Sequence, residues 1–208
     1  MSEIYDFDQI VDRAGSGCVK WEKYAGRDIL PMWIADSDFA VMPAIQRALA
    51  ERVAHPIYGY TQPSARLLEL VAERMRQRYG WQVDADWVVP LPGMIGAFYL
   101  ACRATGQAGD AIYLPSVIYP PFTRAAGLND MVNQPLPMCW HDRRLRIDFD
   151  WLEQQLPRPG QLLMFCNPQN PGGTVYRRDE LERLADIVCR HQLVVCCDEI
   201  HSELVLDT

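Results

Sequence analysis

Lysine is nearly missing from this 208-residue chain: Lys20 and Lys23 are the only two, and the other 18 basic residues are arginine. With no lysine after position 23, the G-x-x-x-x-G-K-[ST] loop of P-loop nucleotide hydrolases is excluded. No C-x-x-C pair occurs among the seven cysteines, and no His or Cys pair has the spacing of a structural zinc site, so no metal site is expected. The cysteines are odd in number and several sit in apolar runs, which reads as reduced thiols packed as small hydrophobes. There is no N-x-[ST] sequon, and no run approaches the roughly 18 apolar residues of a membrane span. The opening MSEIYDFDQI is acidic and unlike a signal peptide, so a cytoplasmic protein without a membrane partner is expected. Arg143, Arg144 and Arg146 form a small basic cluster. With a net charge of -7 and a pI near 5.1, nucleic acid is excluded as a partner.

What remains is ordinary globular material, with 49% hydrophobic and 23% charged residues, enough for one domain or one and a half. Residues 1–45 read as an N-terminal arm and small-domain segment, and 46–208 as the N-terminal part of a large domain. After Pro43, the positions Ile45, Ala48, Leu49 and Arg52 predict a helix. A second runs from the N-cap candidate Ser64 through Leu67, Leu68, Val71, Ala72, Met75 and Tyr79 to a stop at Gly80. Beyond Asp86, short apolar runs alternate with helical patterns, the signature of parallel β-α-β units. The strands are expected at 87–91, 111–114, 131–136, 161–166 and 193–197. The helices are expected at 94–105, 121–126, 151–156 (capped by Asp150) and 178–191.

Ligands of such sheets collect at the carboxyl ends of the strands, and four of these ends are unusual. Leu91-Pro92-Gly93-Met94-Ile95 leads into a helix whose first N–H groups suit a phosphate, although any strand-to-helix turn that needs glycine would look alike. Tyr119-Pro120-Pro121 fixes an aromatic ring that could stack on a planar ligand or simply pack in the core. Asn167-Pro168-Gln169-Asn170-Pro171-Gly172-Gly173 makes a rigid turn presenting two asparagine amides. The run Leu193 to Cys197 ends in Asp198, a carboxylate that needs a positive partner if buried. A right-handed crossover should bring Asn170 and Asp198 out on adjacent strands. A nucleophile built from Cys197 and His201 is formally open, but adjacent strand cysteines are more often buried than reactive.

Together, Tyr58-Gly59-Tyr60, Pro92-Gly93, Val117 to Phe122, Cys166 to Gly173 and Asp198 to Leu204 resemble the fold type I pyridoxal-phosphate (PLP) enzymes. Within the class I/II aminotransferase family they are most similar to the MalY/PatB-type cystathionine β-lyase branch. Trp33-Ile34-Ala35-Asp36-Ser37-Asp38-Phe39 resembles that branch's W-[IV]-A-D-M-D-F stretch, with Ser37 where methionine is usual. The resemblance runs from residue 5 to residue 207. It implies an α/β fold, the aspartate aminotransferase-like PLP-dependent transferase fold type I: three α/β/α layers around a mostly parallel sheet, incomplete at the C-terminus.

The same resemblance implies PLP as cofactor, with Asp198 on the pyridinium nitrogen, Asn170 on the phenolic oxygen and Tyr119 stacked on the ring. His201 stands where aminotransferases more often have tyrosine. Gly93, Met94 and Ile95 would hold the phosphate, with Tyr60 reaching it from the second subunit of a homodimer, and Ile34 and Ala35 would lie near the substrate carboxylate. The implied activity is a carbon–sulfur β-lyase acting on a small sulfur amino acid such as cystathionine and giving pyruvate, ammonia and a thiol. An aminotransferase on the same scaffold is the alternative. The Schiff-base lysine and a carboxylate-binding arginine are expected beyond position 208, so no catalytic residue is assigned, and a third alternative is that the chain by itself is a catalytically inactive fragment.

Overall fold

Apolar runs too short for helices can bury both faces only inside a parallel sheet covered on each side. The computed structural model, which describes residues 5–155 and 158–206, has this arrangement at its two central strands, Ala111–Pro115 and Leu162–Cys166. The chain divides into compact units 1–67 and 68–208.

The first unit holds α1 (Val19–Glu22), α2 (Pro43–Ala54) and the start of α3 (Ala65–Tyr79). Pro43 occupies the first turn of α2, where its missing N–H costs nothing. Ser64 Oγ accepts the Leu67 N–H at 3.2 Å at the head of α3, and Gly80, at φ +64°, ends that helix. Both helices lie where their periodicity predicts them. The apolar stripe of α2 stays open, with Ile45, Leu49 and Val53 all exposed.

The second unit carries α4 (Met94–Thr105), β1 (Ala111–Pro115), α5 (Pro120–Gly127), β2 (Val132–Leu136), β3 (Met138–His141), β4 (Arg144–Ile147), α6 (Phe149–Gln154), β5 (Leu162–Cys166), α7 (Arg178–His191) and β6 (Val194–Asp198). Its main sheet is wholly parallel in the order β2-β1-β5-β6. Strand alternation sends Ile112, Leu114, Leu162 and Met164 into one core with Phe98, Phe122 and Ala125 of α4 and α5. Tyr113, Leu163 and Phe165 enter the other core with Leu152 of α6 and Leu184 and Ile187 of α7. The unit is therefore a three-layer α/β/α sandwich.

Three sequence expectations need correction. The strand expected at 87–91 does not form: Ala85–Trp87 is a 3₁₀ turn, and Val88 to Leu91 pair with no strand among the described residues. Trp87 and Val89 are accordingly exposed, because an alternating pattern makes a strand only when a neighbour accepts its hydrogen bonds. Helix α6 is capped by Asp148, whose carboxylate accepts the Trp151 N–H at 3.0 Å, and Asp150 lies inside the helix. The predicted end of α6, Leu156, lies outside the described residues. Finally, β3 and β4 form an antiparallel hairpin that the sequence does not announce. Its turn uses Asp142 and Arg143, both at positive φ (49° and 62°), where such turns ordinarily advertise themselves as Asn-Gly or Asp-Gly.

The hairpin is anchored by charge. Glu180, in the first turn of α7 and 5% exposed, accepts from Arg144 at 3.2 and 2.7 Å, from Arg146 at 3.3 Å and from the Arg177 N–H at 2.7 Å. Burial alone would raise its pKa, but the Arg144 and Arg177 hydrogen bonds and both arginine charges outweigh it and hold the carboxyl below its usual range. A depressed folded-state pKa contributes stability that is present above the ordinary glutamate value near 4.3 and lost as pH falls through the depressed one. Glu180→Gln is expected to cost about 1–2 kcal/mol at neutral pH, since two partly exposed arginines lose their partner. Urea titrations at pH 7 and pH 3 check this, because the gap between parent and variant should close at the lower pH.

Candidate active site

Parallel register brings the ends of β5 and β6 level: Cys166 pairs with Asp198, and the Asn167 N–H donates to the Asp198 carbonyl at 3.0 Å. The loop after β5 therefore starts beside the carboxylate that ends β6, as the crossover argument requires. Asp198 is 4% exposed, and its Oδ1 accepts the Ile200 N–H at 3.0 Å. None of the ion pairs among the described residues involves it. A buried carboxylate with one backbone donor and no cation from the described residues is chemically set to receive a positively charged donor from a ligand.

The loop 167–174 is shaped by a residue that the sequence reading passed over. Gln169 is 2% exposed; its Nε2 donates to the carbonyls of Val117 at 2.6 Å and Asn170 at 3.2 Å, and its Oε1 accepts the Gly172 N–H at 2.5 Å. A Cβ on Gly172 would collide with that same oxygen, which explains the glycine. Asn167 is also internal, its Oδ1 accepting the Tyr176 N–H at 3.1 Å. Of the two asparagines in the motif, Asn167 builds the turn, and Asn170 is left to face a cavity of about 670 Å³. His201 lines the same cavity, as do Arg143, Thr174 and Leu204. The 3₁₀ turn Ser202–Leu204, which follows His201, is pinned to α3 by Arg74, whose Nε donates to Glu203 at 3.0 Å.

Two further predicted positions in this unit stand at helix starts. Gly93 is the N-cap of α4, at φ +104°, so a side chain there would strain the backbone. The first N–H groups of α4, beginning at Met94 and Ile95, have no acceptor within the helix, and both side chains are exposed. Tyr119 is the N-cap of α5, with Pro120 in the first turn and its side chain partly exposed. Helix α4 packs against α5 and touches β6. The cavity thus joins Asn170 and His201, while Asp198, Gly93 and Tyr119 end or begin neighbouring elements without lining it. Ile34, Ala35 and Tyr60 belong to the first unit. There the Asp36 N–H closes a tight turn onto the Ile34 carbonyl at 2.9 Å, and Tyr60 is fully exposed.

The geometry does not favour a cysteine nucleophile. Cys197 is exposed, not buried as expected for a strand cysteine, yet its thiol lies 3.7 Å from Glu199 and is pushed up to about 12 by desolvation from the protein packed around the sulfur and by that carboxylate, the reverse of what a nucleophile needs. No cluster of three potential metal ligands occurs among the described residues. Nor is any described helix long and apolar enough to cross a membrane. Lys20 Nζ is committed to Asp38 Oδ2 at 2.5 Å and the Asp36 carbonyl at 2.7 Å, with the residue 8% exposed.

Residues 34–208 match the family model described as aminotransferase class I and II. The chain is 36% identical over 206 residues to cystathionine beta-lyase PatB of Bacillus subtilis, covering 97% of this chain and 53% of that protein. Among solved structures it superposes on cystalysin from Treponema denticola, which contains a pyridoxal 5'-phosphate cofactor, with a TM-score of 0.88 and 28% identity over 98% of this chain and 54% of that one. It superposes equally on OvoB (TM-score 0.88, 42% identity, the same coverage). The fold is therefore the PLP-dependent transferase fold type I, and the chain spans about half the length of the relatives it matches.

Proposed function

Because the chain belongs to the class I and II aminotransferase family and spans about half the length of its relatives, we propose that the full-length protein is a PLP-dependent carbon–sulfur β-lyase. Its substrate class is a small sulfur amino acid of the cystathionine type, split by α,β-elimination into pyruvate, ammonia and a thiol. The observation that carries this reading is the buried Asp198 carboxylate at the end of β6, which has no cationic partner among the described residues. Likeness to a named cystathionine β-lyase favours the lyase over an aminotransferase, which the same residues would also serve. In the domain assignment that goes with it, residues 1–45 are an arm and small-domain segment and 46–208 the first part of the large domain. The protein is a cytoplasmic homodimer in this reading.

The residues present fit the cofactor. Asp198, shielded from water, would hold a proton on a pyridinium nitrogen, and Asn170 and His201 would face the ring's phenolic oxygen from the shared cavity. Tyr119 would stack on the ring, and the N–H groups opening at Gly93, Met94 and Ile95 would take the phosphate, joined by the exposed Tyr60 of a second subunit. Ile34 and Ala35 would receive the substrate carboxylate. When bound, PLP supplies the electron sink for the pair left as the Cα proton departs and the thiol leaves Cβ. The protein's part is to keep the ring nitrogen charged, orient the ring and exclude water.

The test is to supply cystathionine to the PLP-loaded full-length protein and follow pyruvate with a coupled dehydrogenase. Release of pyruvate with a free thiol supports the lyase, whereas amino transfer to a keto acid without pyruvate replaces it with the aminotransferase. Residues 1–208 alone are expected to bind PLP without a covalent link, because Lys20 is held by Asp38 and Lys23 lies over the Trp33 ring. Borohydride reduction followed by peptide mapping should find no pyridoxyl group on either lysine; a labelled Lys20 or Lys23 would overturn this.

A further inference from the structure

The irregular stretch from Trp33 to Phe39 has neither helix nor strand to fix its backbone, yet side chains of the first unit tie it at several points. Arg13 reaches both of its acids, donating from Nη2 to Asp36 Oδ2 at 2.8 Å and from Nη1 to Asp38 Oδ1 at 2.6 Å, with a third bond from Nη1 to the Ser37 carbonyl at 3.0 Å. Lys20 closes the other side through Asp38 Oδ2 and the Asp36 carbonyl, Trp21 Nε1 donates to Asp38 Oδ1 at 2.9 Å, and the Cys18 thiol donates to Asp36 at 3.2 Å. Trp33 is tied back through Nε1 to the Lys20 carbonyl at 3.3 Å. Hydrogen bonds from Arg13 hold the Asp36 carboxyl, and those from Lys20, Trp21 and Arg13 the Asp38 carboxyl, below their ordinary range.

The clamp grips the carboxylates and carbonyls on either side of Ala35 and leaves the tip of the turn alone. The Asp36 N–H to Ile34 carbonyl bond spans Ala35, whose own N–H the turn does not use. A backbone donor held at the tip of a fixed turn, on a segment otherwise free to sample many conformations, is the form in which a chain pre-organises recognition of a carboxylate.

We propose that Arg13 and Lys20 are positioning residues that hold the Ile34–Asp36 turn in the shape that receives the carboxylate of the amino-acid substrate. This rests on the reading of Ile34 and Ala35 as substrate-binding positions. The two cations act differently: the Arg13 guanidinium bridges Asp36 and Asp38, and Lys20 ties Asp38 to the Asp36 carbonyl, so a lysine at position 13 would keep the charge but lose the fork that spans both acids.

The test uses the PLP-loaded full-length protein with Arg13→Ala, Arg13→Lys and the shape-conserving Asp38→Asn. Amide exchange across 33–39 should quicken in Arg13→Ala and Asp38→Asn, with other segments unchanged. The dissociation constant for cystathionine, read from the cofactor's absorbance change, should rise about tenfold, with kcat within about threefold of the parent and PLP occupancy retained. Arg13→Lys should fall between. Unchanged exchange at 33–39, or faster exchange with unchanged affinity, overturns the positioning role, as does a fall in kcat that tracks loss of PLP. The lyase reading fails separately, when the parent binds the amino acid in this assay and releases no pyruvate. A parent with no saturable response overturns both.

Discussion

Asp198→Asn in the full-length protein is expected to lower kcat for pyruvate release by about a hundredfold or more, roughly 2.7 kcal/mol at 1.36 kcal/mol per decade. The amide nearly matches the carboxylate in shape and retains an oxygen for the Ile200 N–H, so the end of β6 should keep its structure. What it lacks is the charge that would hold a proton on the ring nitrogen. That proton matters most when negative charge develops at the α-carbon, so the loss should appear in kcat with little change in KM. The measurement is coupled pyruvate release with PLP occupancy determined in parallel. A variant with full occupancy and near-parental turnover would make Asp198 a structural residue and remove the ring-nitrogen assignment.

Phe122→Ala is expected to cost about 3–5 kcal/mol in urea denaturation and to weaken PLP binding as well. The Phe122 ring stacks on Phe98 with centroids 4.0 Å apart and an interplanar angle of 25°, and both side chains are essentially inaccessible to water. That pair joins α5 to α4, the helices begun by Tyr119 and Gly93, so loosening it disturbs two of the expected cofactor contacts together. Leu163→Ala provides the control. It empties space in the core on the opposite face of the sheet at a cost of about 2–5 kcal/mol, and it should leave PLP affinity unchanged where the protein remains folded. Equal losses of PLP affinity in both variants would mean that the helix starts are not held through the aromatic pair.

The layers of the second unit were legible in the sequence because hydrophobic period reports burial directly. Four of the five expected strands and helices such as 94–105 and 178–191 form at or within a residue or so of their expected bounds. The fifth strand failed because period says nothing about whether a partner is at hand, and the hairpin was missed because Asp142-Arg143 carries no turn signature. Within the site, the strand-end rule found Asn170 and Asp198, which are informative for their chemistry alone. Gln169 gave no such signal, since a glutamine between two X-Pro steps looks like loop filler until the fold buries it. Glu180 was hidden similarly: it sits three residues after an arginine N-cap, where the capping-box pattern would display serine or threonine.

The strand order β2-β1-β5-β6 also bears on how the chain reaches its native state. In the hairpin, His141 pairs with Arg144 three positions on, a contact that forms in microseconds and needs little of the chain. At the centre of the sheet, Ile112 must find Leu162, fifty positions later, with the whole of α5, β2, the hairpin and α6 between them. Loop closure over that distance costs more entropy than the hairpin contact does. During synthesis, α4, β1, α5 and β2 emerge first, and the buried face of β1 must wait for β5 to leave the ribosome. The ends of β5 and β6, where the candidate site lies, therefore emerge after the rest of the sheet.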